Sequence, residues 1–569
     1  MHASPFPPLP PLPEVNIHNV MFGRPDQAEW PDFTLHIEAK TGTKRTYKDM
    51  VRRIALGATA LGGQVSDGCL GLNGDGDEMI GLVADNSIDF IDMVHSLLMV
   101  TTPFALISSY STRFELVHAL KLTKATRLFV DPKLLKRVLA AINDPDVKIS
   151  PDKVYVLSGH VKGRRSFSQM IDTVQRKKVP LEPVRSATKD TLAYLVMSSG
   201  TSGLPKAVMI THGNTVCSLY QGFVVGNVAG PFMPTKITGI PVCLAVLPMF
   251  HSYGLHVYIF RGTIQPTTYV IFEKWSTSQY LRAISKYRAT HLPLIPSAIH
   301  QLVNHPDIKT TDLSSVVHIN SGAAYLPPEL EARMTKLTRS DLSQGYGMSE
   351  CTLAALTRPL EGMFGMGAPP RHTTGVLIPG LEGRVVREDG GEAAANEVGE
   401  LYIRGGNVTP GYWNNDAANA STFVDGWLRT GDQFRVDEQG YFFFADRGKD
   451  TLKVSGVQVS PKEIEDVLFA HPDALISDVS VAGVSGGRTA DEKVPRAWVV
   501  LSAAGRRRGA PAVIEALDAW HREQLSSYKW LRGGIEVVKQ IPKTPTGKTM
   551  RRVLQEQYER RAKKTKAKL

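Results

Sequence analysis

The segment from Tyr194 to Asn214 combines residue types that can bind an anion with a spacing that suits a tight loop. An apolar run ends at Met197, and a second apolar run begins at Ala207. Between the two runs lie Ser198, Ser199, Gly200, Thr201, Ser202, Gly203 and Lys206. The glycines let backbone N–H groups turn toward an anion, the hydroxyls add donors, and the lysine adds a mobile positive charge. The segment therefore predicts a loop between two strands that binds the β- and γ-phosphates of a nucleotide.

This loop differs from two other glycine-rich loops that carry chemistry. The GxxxxGK[ST] spacing of a Walker loop is absent, and an apolar strand pattern follows where a Walker loop would lead into a helix. The GxSxG pattern of a nucleophile elbow is also absent from the segment. A glycine-serine surface turn is the simpler alternative, but it requires neither a lysine at this offset nor apolar flanks.

Alternating strand and helix patterns surround this loop. Met79 to Val83 and Pro103 to Ile107 are strand-like runs, and Phe90 to Val100 between them has a helical pattern. Strands that alternate with helices are typical of α/β proteins with largely parallel sheets. The sequence therefore predicts an α/β fold, in which a large N-terminal domain of sheets layered with helices spans residues 1–445.

The pattern changes after the strand-like run from Gly440 to Ala445. Ser460, Pro461 and Glu463 predict the start of a helix, with Ser460 as its cap and Glu463 completing a capping box. Strand-like runs follow, together with a helical run that has Val513, Leu517 and Trp520 on one face. Residues 446–569 are therefore predicted to form a small α+β domain of common size.

Composition excludes several classes of protein. The 569 residues are 42% hydrophobic and 21% charged, as in globular proteins, and no apolar run is long enough to span a membrane. The four cysteines lie far apart, so neither a disulfide framework nor a zinc site is expected.

The positive charge is concentrated at the end of the chain. Residues 551–569 carry eight Lys or Arg and two Glu, which is a net charge of +6 out of the +11 of the whole chain. A solvated basic tail explains this surplus better than nucleic-acid binding does. The proline-rich residues 1–14 are expected to lie on the surface.

The run from Ser198 to Lys206 resembles the signature of the adenylate-forming superfamily, which includes acyl-CoA synthetases, firefly luciferase and peptide-synthetase adenylation domains. Further motifs follow in that family's order: Leu247–Leu255, Ser321–Ala324, Gln344–Glu350, Gly399–Gly405, Trp427–Asp432, Asp446–Asp450, Gly456–Pro461 and Pro542–Lys548. The similarity extends from about Phe33 to Arg552. The run from Tyr110 to Leu116 also resembles the 4-coumarate–CoA ligase-like branch.

The resemblance implies a two-step reaction. A carboxylate attacks the α-phosphorus of ATP and diphosphate leaves; the thiol of coenzyme A then attacks the acyl-adenylate and AMP leaves. An aryl or a medium-chain acid is the expected substrate. A luciferase-like oxygenase, an enzyme that loads a carrier protein, and a non-catalytic nucleotide-binding protein are the alternatives.

The resemblance also implies roles for residues around the nucleotide. Glu350 is expected to hold Mg²⁺, although a glutamate at a helix start is the alternative. Lys548 is the expected catalytic lysine, assisted by Lys206 and His251. Lys449 corresponds to a hinge about which the small domain rotates between the two steps. Further nucleotide contacts are expected from Gln344, Gly345, Ser349, Asp432, Arg447, Lys453 and Gln458.

The coenzyme A and acid sites are likewise implied by the resemblance. Lys274 and Gly456 are expected to contact coenzyme A, and Ser455 stands where related enzymes usually have a lysine. The acid is expected to meet an aromatic gate, with small residues leaving room for its tail, although His251 alone could be a core histidine. This acid site comprises His251, Tyr253, Gly322, Ala323, Gly345 and Gly347. No charged residue clearly marks a polar end group on the acid.

The last three residues, Ala567, Lys568 and Leu569, resemble the Ser-Lys-Leu peroxisomal address, with alanine in place of serine. The sequence therefore predicts recognition by the peroxisomal import receptor and a peroxisomal location, with the cytoplasm as the alternative.

Overall fold

The structure is a computed structural model that describes residues 1–74, 77–198, 204–233, 237–323, 326, 328–370, 373–447, 452–454, 457–486, 493–542 and 551–566. The chain forms two compact units. The first comprises Met1–Ser109, Ala119–Met197 and Ala207–Asp446, and the second comprises Tyr110–His118, Ser198–Lys206 and Arg447–Leu569. Two short early segments thus belong to the second unit, and the functional division at residues 445 and 446 stays a prediction.

The strands follow one another along the chain as β1 (His2–Ala3), β2 (Thr34–Glu38), β3 (Lys44–Thr46), β4 (Ile80–Val83), β5 (Phe104–Ile107), β6 (Arg127–Val130), β7 (Val154–Val156), β8 (Leu192–Ser198), β9 (Lys206–Thr211), β10 (Val242–Ala245), β11 (Thr268–Ile271), β12 (His291–Leu294), β13 (His318–Ser321), β14 (Asp341–Tyr346), β15 (Leu356–Thr357), β16 (Val376–Leu377), β17 (Glu382–Val386), β18 (Gly399–Arg404), β19 (Phe423–Val424), β20 (Trp427–Val436), β21 (Phe442–Arg447), β22 (Leu452–Val454), β23 (Val457–Val459), β24 (Ile476–Ser485), β25 (Lys493–Leu501) and β26 (Ile535–Val537).

The helices are α1 (Ile17–Phe22), α2 (Tyr47–Gly62), α3 (Ile88–Met99), α4 (Arg113–Thr123), α5 (Leu135–Ile142), α6 (Phe167–Lys177), α7 (His212–Ala229), α8 (Ser252–Gly254), α9 (Thr277–Tyr287), α10 (Pro296–Asn304), α11 (Pro328–Thr338), α12 (Asp416–Thr422), α13 (Pro461–Phe469), α14 (Ala503–Arg508), α15 (Ala510–Gln524) and α16 (Arg551–Lys566). Among the described residues, no helix combines the length and the apolar character that crossing a membrane requires.

Two sheets dominate the first unit. One has the order β7-β6-β4-β5-β8-β9, and the other has the order β16-β15-β14-β13-β12-β10-β11-β2-β3. Strands β4 to β8 pair in parallel in the first sheet, and β2 and β10 to β14 pair in parallel in the second. Strands β4 and β5 are buried along their whole length, as expected for parallel strands covered on both faces. The predicted α/β fold class is confirmed.

A third, antiparallel sheet completes the first unit, with the order β1-β17-β18-β20-β19 and β21 beside β20. The proline-rich residues at the start of the chain contribute to this sheet. His2 of β1 pairs with Gly383 of β17, the amino group of Met1 lies 2.7 Å from Glu392, and Phe6 is buried. This segment is therefore anchored to the sheet, whereas the sequence predicted only that it lies on the surface.

The second unit contains the predicted α+β arrangement. Strands β24, β25 and β26 form its main sheet, and helix α15 places Val513 and Leu517 in the core. Ser460 caps α13 through Glu463 N, as predicted. The predicted capping box is wrong, because the Glu463 carboxylate accepts a hydrogen bond from Lys529 instead.

A buried ion cluster lies in this unit. Lys529 Nζ lies 2.6 Å from Glu115 Oε1 and 2.7 Å from Glu463 Oε1, and all three side chains are almost inaccessible. Burial raises the pKa of Glu463; it also acts to raise the pKa of Glu115, but Lys529 and Ser526 outweigh it and lower that pKa. The cluster satisfies a buried cation with two carboxylates, which is how charged side chains are usually accommodated in a protein interior.

Candidate active site

The carboxyl ends of parallel strands meet at one edge of each sheet, and several sequence-predicted site residues follow such ends. Ser198 ends β8 in the first sheet. In the second sheet, His251 follows β10, Lys274 follows β11, and Gly322 follows β13. Ligands of α/β proteins bind outside the carboxyl ends of the strands. The topology therefore places these residues where a ligand site is expected.

One buried asparagine joins the carboxyl edges of the two sheets. Asn86, which follows β4, donates from Nδ2 to Leu247 O at 2.9 Å and to Phe272 O at 3.2 Å. Its Oδ1 accepts a hydrogen bond from Met249 N at 2.8 Å. The loops after β10 and β11 are thus both held by a side chain of the first sheet. Asn86 is not among the residues predicted from the sequence, although a polar residue so soon after a buried strand is a signal.

The residues of the predicted acid gate lie in and directly before α8, and directly after β13. His251 Nδ1 accepts a hydrogen bond from Tyr253 N at 3.4 Å and thereby caps α8. Tyr253 Oη donates to Asn320 Oδ1 at 2.5 Å, and a Cβ on Gly322 would lie 3.3 Å from the Tyr253 ring. Ala323 follows with a positive φ of 66°. The structure therefore brings four of the predicted acid-site residues, including Gly322 and Ala323, together.

Gly345 and Gly347 have different surroundings. A Cβ on Gly347 would lie 1.8 Å from Leu353 O, whereas one on Gly345 would be 3.4 Å from Leu356 O. Close backbone packing, rather than space for an acid, therefore demands glycine at residue 347. Its predicted role in the acid site stays a prediction.

Glu350 is a buried carboxylate held by a phenol. It lies in the 3₁₀ turn Ser349–Cys351 and is 4% exposed. Tyr412 Oη donates to Glu350 Oε1 at 2.8 Å, and Ser252 Oγ donates to Ser349 Oγ at 3.0 Å. Burial, and then the charge of Glu350, raise the pKa of Tyr412, so this phenol stays protonated. The sequence predicted Glu350 but missed Tyr412, which is 62 residues away along the chain.

Asp432, on β20, is also a buried carboxylate that accepts a hydrogen bond from a phenol. Tyr346 Oη donates to Asp432 Oδ2 at 2.8 Å, and Asp432 is only 7% exposed. Burial, followed by the charge of Asp432, raises the pKa of Tyr346. Tyr346 lies in the same motif as Glu350, but nothing in the sequence identified its partner.

Gln344 and Lys274 both have acidic neighbours. Gln344 Nε2 donates to Glu331 Oε2 at 2.9 Å. Lys274 Nζ lies 3.6 Å from Asp85 Oδ2, and Lys133 Nζ lies 2.5 Å from the same oxygen. The carboxylate of Asp85, a residue 3% exposed, therefore holds two cations at the carboxyl edge of the first sheet.

Several predicted residues lie outside the described residues. They are Ser199, Gly200, Thr201, Ser202, Gly203, Lys449, Ser455, Gly456, Lys548 and the last three residues, together with the side chains of Arg447, Lys453 and Gln458. Ser198 and Lys206, which flank the glycine-rich loop, belong to the second unit. The roles assigned to all these residues stay predictions.

Within the described residues, no group of three or more His, Cys, Asp or Glu side chains could hold a metal ion. A single buried carboxylate such as Glu350 nevertheless suits Mg²⁺, which usually keeps waters and takes phosphate oxygens as further ligands. The residues present therefore fit a metal that arrives with a phosphate substrate.

The parallel sheets, with site residues after the carboxyl ends of their strands, define the class as an α/β protein with a ligand site at that edge. Residues 25–413 match the family model of the AMP-binding enzyme, and residues 463–548 match that of the AMP-binding enzyme C-terminal domain. The chain belongs to the AMP-binding enzyme family, and its class is that of the AMP-forming acid–CoA ligases.

Individual relatives agree with this assignment. The chain is 29% identical to a probable 4-coumarate–CoA ligase 1 of Dictyostelium discoideum over 96% of this chain and 95% of that protein. It is 28% identical to the peroxisomal OPC-8:0-CoA ligase 1 of Arabidopsis thaliana, over 96% and 94% of the two chains. The amide bond synthetase McbA of Marinactinospora thermotolerans has the same fold, with a TM-score of 0.77 at 22% identity over 96% and 99% of the chains.

Proposed function

We propose that the protein is an ATP-dependent acid–CoA ligase. It converts an aryl or medium-chain acid, ATP and coenzyme A to an acyl-CoA, AMP and diphosphate through an acyl-adenylate. The observation that carries this proposal is the pair of buried carboxylates, Glu350 and Asp432, each of which accepts a hydrogen bond from a phenol. A neutral donor orients a carboxylate while leaving its charge available for a metal ion or a ribose.

In the first step, two anionic substrates must approach each other. The acid carboxylate attacks the α-phosphorus of ATP, the bond to diphosphate breaks, and diphosphate leaves with its electron pair. Lys206, the glycine-rich loop and Lys548 supply cations and N–H donors that reduce the repulsion, which is the main barrier in such transfers. Mg²⁺ bound at Glu350 would neutralise phosphate charge. Asp432 accepts hydrogen bonds from the ribose hydroxyls, and His251 with Tyr253 borders the acid.

In the second step, the thiol of coenzyme A attacks the adenylate carbonyl. The C–S bond forms, the C–O bond to AMP breaks, and the thiol proton is released. Lys274 contacts the nucleotide part of coenzyme A, and Asp85 holds its ammonium group at the edge of the sheet. Lys449 is the hinge and Gly456 lines the path of the thiol arm, with Ser455 removing one positive contact that related enzymes have.

The proposal is tested with a panel of aryl and medium-chain acids. We expect diphosphate release that depends on an acid, with AMP and a thioester formed in equal amounts when coenzyme A is present. AMP release without a thioester would favour the oxygenase or the carrier-loading alternative. If no acid in the panel supports diphosphate release, the proposed function is wrong.

Replacing Lys548 should separate the two half-reactions. Lys548→Ala removes the cation between the acid and the α-phosphate, so adenylate formation should fall by at least about a hundredfold, as for other removed electrostatic contacts. Thioester formation from a preformed acyl-adenylate should change little. Lys539→Ala, which removes an exposed lysine of the same C-terminal region, is the control. An equal loss of both half-reactions in Lys548→Ala contradicts the assigned role.

The two phenols provide a second, paired test. Tyr412→Phe deletes the hydroxyl that holds Glu350 and should raise the Mg²⁺ concentration for half-maximal diphosphate release by about tenfold, the loss expected for one hydrogen bond to a charged group. Tyr346→Phe should instead reduce the preference for AMP over 2′-deoxy-AMP, measured by calorimetry. Each variant is the control for the other. If both variants shift both quantities equally, the separate roles of the two carboxylates are refuted.

We also propose that Ala567, Lys568 and Leu569 direct the protein to peroxisomes. A small residue, a base and a leucine at a free carboxylate are what the import receptor binds. Fusing the last twelve residues to a fluorescent protein should give punctate peroxisomal fluorescence, and deleting the final leucine should abolish it. A diffuse cytosolic signal from the intact fusion would reject the address.

A further inference from the structure

Arg261 of the first unit is a partly buried cation for which the described residues supply no carboxylate partner. Arg261 follows a π-helix, Leu255–Phe260, that continues from α8. Its Nε is shielded from solvent and has no hydrogen-bond partner. Among the described residues, no carboxylate pairs with its guanidinium, and its one protein hydrogen bond is a long one, 3.4 Å from Nη2 to Ser218 O. Burial alone lowers the pKa of Arg261 to about 10, so the side chain stays charged at neutral pH.

The position of Arg261 connects it with the acid gate. Tyr253, Val257 and Arg261 are four residues apart and are partly exposed, whereas the other residues from 252 to 260 are buried. A spacing of four residues places side chains on one face of an α- or π-helix. The partly exposed face therefore runs from the gate to Arg261, a distance of roughly 12 Å at the rise of a helix.

Glycines lie opposite both ends of this face. A Cβ on Gly322 would lie 3.3 Å from the Tyr253 ring, and a Cβ on Gly222 of α7 would lie 3.4 Å from Arg261 Nε. Glycine at both positions keeps side-chain atoms away from the two ends. The face thus has an aromatic gate at one end, the apolar Val257 in the middle, and an uncompensated cation at the other end.

We propose that Arg261 binds the far end of the acid, and that the preferred substrates carry a second carboxylate roughly 12 Å from the reacting one. This inference rests on the proposed acid–CoA ligase function and makes its substrate class specific. A guanidinium binds a carboxylate through paired N–H donors, and a shielded site strengthens such bonds. The bound acid supplies the counterion that the described residues do not.

The test compares straight-chain dicarboxylic acids of six to twelve carbons with the monocarboxylic acids of equal length. We expect the wild-type protein to use a dicarboxylic acid of intermediate length with the higher kcat/KM. Arg261→Met should lower kcat/KM for that acid by about a hundredfold, because a site built for a hydrogen-bonding group discriminates strongly. It should leave the monocarboxylic acid of equal length unchanged or improved. Arg261→Lys keeps the charge and should retain part of the preference.

Arg24→Met is the matched control. Arg24 lies near the same segment, since its Nη2 donates to Ile264 O at 3.1 Å. Unlike Arg261, Arg24 has a carboxylate partner, because its Nε lies 3.0 Å from Asp26 Oδ1. Its replacement should leave the preference between the two acids unchanged.

Removing the uncompensated charge of Arg261 should not lower the melting temperature, since buried charges without partners destabilise a fold.

Thermal shift measurements separate failure of this inference from failure of the proposed function. The dicarboxylic acid should raise the melting temperature of the wild-type protein but not of Arg261→Met, because only a bound ligand stabilises the folded state. If no acid supports diphosphate release, the proposed ligase function is wrong. The thermal shift then still shows whether the dicarboxylic acid binds through Arg261. Equal effects of Arg261→Met on both acids, or a wild-type preference for monocarboxylic acids, would overturn the inference.

Discussion

The site depends on two buried carboxylates, Glu350 and Asp432, that are oriented by neutral hydrogen-bond donors. Both residues are nearly inaccessible, and each carboxylate accepts a hydrogen bond from a phenol hydroxyl. A lysine or arginine in place of either tyrosine would offset the burial cost better, but it would also cancel the charge that a cation or a ribose must meet. Tyr346 and Tyr412 avoid this because burial raises their pKa values and keeps them neutral donors.

The two parallel sheets are likewise joined by an uncharged side chain that forms directed hydrogen bonds. A carboxamide donates and accepts at once, so Asn86 can hold carbonyl groups of two loops and an N–H of one of them. These loops lead to the acid gate and to Lys274. A joint made by apolar packing alone would not fix the direction of either loop, whereas three hydrogen bonds of defined geometry do.

The sequence predicts those parts of the fold that depend on local patterns. Strands β4 and β5, helix α3 and the cap at Ser460 follow from apolar periodicity and capping chemistry, and the structure contains them with small shifts at the ends. Partners that are distant in sequence do not follow from such patterns. Glu463 suits a capping box locally, yet a lysine 66 residues later takes its carboxylate. Likewise, the partners of Glu350 and Asp432 depend on which loops the sheets bring together, and the proline-rich start of the chain gains β1 only because the edge of β17 is available to it.

Lys529 and Arg261 are two shielded cations whose surroundings differ in a way that the sequence alone does not reveal. Lys529 is buried between Glu115 and Glu463, and the cluster has the character of a structural ion network. Within the part of the chain that the structure describes, Arg261 has only a long hydrogen bond to a backbone carbonyl. An unpaired buried charge costs folding free energy that a methionine or leucine of similar length would not. The two positions therefore have different physical explanations: at Lys529 the protein provides the counterions, whereas at Arg261 the cost is offset only when an anionic group of a ligand completes the site.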